Sequence, residues 1–112
     1  MQRYGMVTGL HPEKIEEYKT LHAAVWPDVL KKIAECNIRN YTIHLRDVPG
    51  AGPLLFSHFE YVGTDFEADM AKMAADETTQ RWWEHCNPCQ RPIAEGEVGN
   101  TWVGMEEVFH VD

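Results

Sequence analysis

The chain has 112 residues, the size of one domain with one hydrophobic core. Ten basic residues against eighteen acidic ones leave a net charge of −8. That balance argues against nucleic acid, anionic membrane surfaces and strongly anionic substrates, and favours a neutral small molecule. The N-terminal residues lack the apolar core of a secretory signal and no run is long enough to cross a bilayer, so a cytoplasmic protein is expected. Three cysteines, few and odd in number, point to reduced thiols rather than a disulfide framework.

Arg3 to Gly9 reads as a first strand. His11-Pro12 then opens a helix, with proline at its tolerated first position and Glu13, Glu16 and Glu17 near the positive end of the dipole. Ile15, Tyr18, His22, Val25 and Val29 recur at spacings of three and four, so Tyr18 and His22 share the core-facing stripe. Pro27 interrupts the pattern, which predicts a break just after His22 and a restart at Pro27.

Ile38 to Leu45 reads as a second strand, with Tyr41, Ile43 and Leu45 on one face and Thr42 and His44 on the other. A turn-rich stretch from Asp47 to Pro53 and a strand from Leu54 to Val62 complete a hairpin. Thr64-Asp-Phe-Glu67 has the form of a capping box and starts a helix through Ala75. A shorter helix, Thr78 to Cys86, carries Trp82 and Trp83. A loop from Pro88 to Gly99 and a last strand from Thr101 to Val111 close the chain.

The order strand, helix, strand, strand, helix, strand is the ferredoxin-like βαββαβ plan of an α+β domain. Helices cover one face of its sheet. A second copy of the chain is the expected cover for the other, as in a dimeric α+β barrel.

His22 is the first candidate for chemistry, because imidazole exchanges protons near neutrality. The competing reading is a structural histidine bonded to the helix break. Tyr18 and Tyr41 either pack or hydrogen-bond a ligand through their hydroxyls. Trp82 and Trp83, adjacent on a helix, cannot both face one side; one is expected to pack and the other to offer a flat platform to a sugar ring. Cys86-Asn-Pro-Cys89 has the spacing of a redox motif or half a zinc site, but no second pair completes four ligands, and no metal is expected. His11, His44, His58 and His110 are scattered without ligand spacing, and Glu106-Glu107 point to opposite faces of a strand. No nucleotide fingerprint is present, so no cofactor is expected.

Taken together, Glu17-Tyr18-x3-His22-x3-Trp26-Pro27, Asn40-Tyr41-x-Ile43, Leu54-Leu-Phe56, Gln80-Arg-Trp-Trp83 and Glu107-Val-Phe109 resemble the L-rhamnose mutarotase family. The resemblance spans nearly the whole chain. It implies a small dimeric ferredoxin-like enzyme that interconverts sugar anomers without metal or cofactor. It also implies that His22 is the proton donor and that Tyr18, Tyr41, Trp82 and Trp83 contact the sugar. The chain departs from the family's pattern at Met70, where a further tryptophan is usual, between Phe56 and Gln80, where it is longer, and in Asn87 to Pro92. These are places where sugar identity would be decided, so L-fucose stands beside L-rhamnose. Two other classes share the plan: a dimeric α+β barrel monooxygenase, cofactor-free or haem-binding, and a sugar-binding module that leaves the exchange rate unchanged.

Overall fold

The computed structural model describes residues 1–93 and 101–112. The strands are β1 (Gln2–Leu10), β2 (Ile38–Val48), β3 (Gly52–Tyr61), β4 (Gln90–Arg91) and β5 (Val103–Met105). The helices are α1 (Ile15–Ala23), α2 (Pro27–Glu35), α3 (Phe66–Ala75) and α4 (Glu77–Cys86). They form an α+β domain on the ferredoxin-like plan. The strands lie in the order β2-β3-β1-β4, with β5 also on β1, and every pairing is antiparallel.

The long helix breaks where proline requires it. Ala24 closes α1 through its N–H to the Leu21 carbonyl at 3.3 Å. Trp26, extended at φ −61° and ψ 134°, precedes Pro27 at the start of α2. Proline disfavours helical geometry in the residue before it, and its missing N–H costs nothing at a helix start.

Three expectations need correction. The capping residue of α3 is Asp65, whose carboxylate accepts from the Ala68 N–H at 3.1 Å, and not Thr64. The last strand is Val103–Met105 alone; Glu106 to Asp112 find no ladder partner among the described residues, so alternating apolar side chains there do not make a strand. The loop expected from Pro88 to Gly99 instead begins with a turn at Asn87–Cys89 and the short β4; residues 94–100 lie outside the described part. β4 can approach because Gly9 has no side chain: a Cβ there would meet the Arg91 carbonyl oxygen at 2.6 Å.

Register decides the two faces of the sheet. Tyr4, Met6, Thr8 and Leu10 of β1 stand beside Leu55, Ser57, Phe59 and Tyr61 of β3 on the side that the helices cover. The core there has three parts: Leu10, Tyr18, Leu55 and Cys89; Val29, Trp82 and Cys86; and Ile38, Phe59 and Tyr61. Val7, Leu54, Phe56, Val103 and Met105 lie on the opposite face, which carries no helix among the described residues. A polar tie secures the far end of the domain. The Tyr61 hydroxyl donates to Asp69 at 2.5 Å, Asn37 donates to the same carboxylate at 3.0 Å, and the Asp65 N–H reaches the Tyr61 oxygen at 3.0 Å.

Candidate active site

α1 ends next to α4, and that meeting gathers the aromatic residues. Tyr18 and His22, one turn apart, stack at 4.1 Å between ring centres. The Trp82 ring stands edge-on to His22 at 5.5 Å, and Trp26 stands edge-on to Trp82 at 5.2 Å and to His85 at 5.6 Å. Tyr18 and Trp82 are buried, and His22 is half-buried.

His22 makes one hydrogen bond that sets its chemistry. Nδ1 lies 2.9 Å from the Tyr18 carbonyl oxygen. A carbonyl only accepts, so Nδ1 carries the proton and Nε2 of the neutral ring holds a lone pair. Nε2 has no hydrogen-bond partner among the described residues. Burial lowers the pKa of His22 below 6.5, and the bond to the Tyr18 carbonyl opposes part of that shift. One nitrogen of His22 thus braces the helix end, and the other carries a lone pair with no hydrogen-bond partner among the described residues.

Tyr41 reaches the same region from the sheet. A register shift between Arg39 and Thr42, with Asn40 at φ 51°, keeps Tyr41 on the helix side, where its ring meets Phe59 edge-on at 5.5 Å. The residue is 44% exposed, yet burial raises the pKa of its hydroxyl. Burial also pushes the Tyr18 hydroxyl far above the ordinary tyrosine range, and mutual repulsion with Tyr41 and Cys86 adds to this. Both phenols stay protonated at neutral pH.

Trp83 lies at the margin of this group. It is half-buried against Val29, Trp82 and Cys86, as expected for one member of an adjacent pair. Trp26 belongs to this group and was not among the candidates expected from the sequence. Trp26 was visible only as part of the spaced motif with Tyr18 and His22. Two shallow surface depressions lined by Met1, Gln2 and Tyr4 contain none of these side chains.

The cysteine pair is built into the wall beneath. Cys89 is fully buried, and its thiol donates to Glu17 at 3.1 Å. Burial pushes the Cys86 thiol up to about 12 and the Cys89 thiol up to about 11. Thiolates carry the reactivity of cysteine, so this pair is suppressed as a redox or metal-binding couple. No cluster of three or more His, Cys, Asp or Glu side chains that could hold a metal occurs among the described residues. In native protein both thiols are expected to react with a thiol-specific chromogenic reagent far more slowly than after denaturation; equal rates would contradict the burial assigned to them.

Residues 3–111 match the family model described as L-rhamnose mutarotase. A protein of Oceanobacillus iheyensis described as L-rhamnose mutarotase is 27% identical over 112 residues, covering 100% of both chains. The crystal structure of an L-rhamnose mutarotase from Formosa agariphila superposes with a TM-score of 0.76 at 18% identity, again covering 100% of both chains. An antibiotic biosynthesis monooxygenase shares the fold with a TM-score of 0.56 at 20% identity, covering 96% of this chain and 99% of the other. Among the described residues no helix is long and apolar enough to cross a membrane. Family match and fold agree with the motif spacing of the sequence: this chain belongs to the L-rhamnose mutarotase family.

Proposed function

We propose that the protein is an isomerase that interconverts the α and β anomers of L-rhamnose or of a closely related 6-deoxy-L-hexose such as L-fucose. The observation that carries this reading is the free Nε2 of His22, set among the rings of Tyr18 and Trp82. Relatives described as L-rhamnose mutarotases support the choice of sugar.

Neutral His22 takes the anomeric hydroxyl proton on Nε2. The bond between the anomeric carbon and the ring oxygen breaks as the imidazolium returns that proton to the ring oxygen, leaving an open-chain aldehyde. Rotation about the adjacent carbon–carbon bond and the reverse steps close the ring on its other face. One proton moves between two oxygens attached to the same carbon, so a single histidine serves as base and then as acid, and no metal or cofactor is consumed. Tyr18 and Tyr41 place the sugar hydroxyls. The face of Trp82 holds the ring, with Trp83 behind it as support and a further contact at the rim.

The same reading makes the protein a cytoplasmic homodimer, supported by three free cysteines and by the uncovered apolar sheet face around Val7, Leu54 and Phe56. The test is exchange NMR on the anomeric signals of L-rhamnose, L-fucose and other aldoses with catalytic amounts of protein. Faster exchange for one sugar identifies the substrate. No acceleration for any of them overturns the assignment.

A further inference from the structure

Trp26 is a ring of the aromatic group to which the reaction above gives no part. The break before Pro27 sets its place. Trp26 is extended, and its carbonyl accepts the Val29 and Leu30 N–H groups at 3.0 and 3.1 Å, so its backbone is pinned to the start of α2. In an unbroken helix residues 22 and 26 would be neighbours along one face. The extended residue instead lays its half-buried indole on α4, edge-on to Trp82 at 5.2 Å and to His85, one turn further on, at 5.6 Å. Trp82 thus meets two rings edge-on, one from α1 and one from the N-cap of α2: His22 at 5.5 Å and 66°, Trp26 at 5.2 Å and 69°. Ring quadrupoles favour that arrangement, so each contact resists rotation of the Trp82 plane. Val29 and Cys86 bury Trp82 as well, but apolar contacts of that kind are non-directional.

We propose that Trp26 is a positioning residue: it fixes the plane of Trp82 beside His22, and through Trp82 the place of the sugar ring relative to Nε2. It acts without touching the sugar. Proton transfer needs the anomeric oxygen within hydrogen-bond reach of Nε2, so a tilted platform costs rate more than binding. The helix break at Pro27 then does more than end α1, because it brings His22 and Trp26 against the same indole. The part of Trp26 in the reaction rests on the mutarotase reading; its hold on Trp82 does not.

The test compares Trp26→Leu, Trp26→Phe, Trp82→Leu and the Leu–Leu double variant by proton NMR of the free protein and by anomer exchange. The Hε1 signal of His22, assigned by its loss in His22→Ala, feels the ring current of Trp82, and Trp82→Leu calibrates that contribution. Trp26→Leu is expected to shift the signal in the same sense by part of the Trp82→Leu change. Trp26→Phe keeps an aromatic edge and is expected to shift it less. In the Trp82→Leu background Trp26→Leu is expected to leave the signal in place. An unmoved signal in Trp26→Leu overturns the proposal, and so does a further shift in the double variant, which would mean that Trp26 acts on His22 without Trp82. In exchange, Trp26→Leu is expected to lower kcat by about 2–12-fold, the scale of one aromatic contact, with KM changed less. Equal losses with and without Trp82, or a rise in KM alone, would overturn the positioning role. If the unaltered protein turns over no sugar, the mutarotase reading fails and the His22 signal still decides whether Trp26 holds Trp82. Should Trp26→Leu fail to fold, the signal is read in Trp26→Phe, where a shift in the Trp82→Leu sense is expected and no shift overturns the proposal.

Discussion

Replacing His22 by alanine is expected to remove about 10²- to 10⁴-fold of the acceleration of anomer exchange, the range for a single general acid–base group, in a protein that still folds. The ring is half-buried and braces one carbonyl at the end of α1, so its structural share is small beside its chemical one. The pH profile gives a second and sharper reading. The working form is the neutral ring, and burial holds its pKa below 6.5. Activity is therefore expected to be full at neutral pH and to fall as pH drops through a pKa below 6.5, after subtraction of the solvent rate. No matching alkaline limb is expected through pH 8, because Tyr18, Tyr41, Cys86 and Cys89 all titrate above their ordinary values. A profile that instead rises toward acid would show that resting His22 must already be protonated, and the order of proton transfer given above would be wrong. Unchanged exchange in a folded His22→Ala protein would take His22 out of the reaction.

Leu55→Ala is expected to destabilise the protein by about 2–5 kcal/mol, through lost burial and the cavity left behind. Leu55 is 1% exposed on β3 and packs with Leu10, Tyr18 and Cys89 directly under the proposed site. Its loss removes support from Tyr18, so the variant is also expected to exchange anomers more slowly even where it is fully folded. Leu30→Ala is the control, because Leu30 is 54% exposed on α2 and surface changes of this kind are expected within about 0.5 kcal/mol. Urea unfolding midpoints compare the two variants. Equal midpoints would mean that the cluster around Leu55 does not carry the stability assigned to it.

The sequence alone determined the elements whose signals are local. Pro27 dictates the break between α1 and α2, because a prolyl ring rejects helical geometry in the residue before it wherever it occurs. The four-residue spacing puts Tyr18 and His22 on one face, where the two rings stack at 4.1 Å. Alternation likewise placed Tyr41, Ile43 and Leu45 together on β2. The order of elements was enough for the ferredoxin-like plan, and the spaced motifs were enough for the family.

Only the tertiary structure decided features that depend on contacts distant in sequence. Glu106 to Asp112 have the alternation of a strand but no neighbour to pair with among the described residues, since a ladder needs a partner as well as a pattern. β4 has no pattern at all, and it exists because Gly9 admits the backbone of Arg91. The two tryptophans are equivalent in sequence; α4 buries Trp82 with Val29 and Cys86 and edge-on to His22, and leaves Trp83 half-buried at the margin of that cluster. The chemical state of the site was invisible for the same reason. Desolvation by packing sets the pKa of His22 and keeps the paired thiols protonated. Periodicity reports which way a side chain points from its own backbone, and burial and hydrogen-bond partners come from whatever the rest of the chain brings against it.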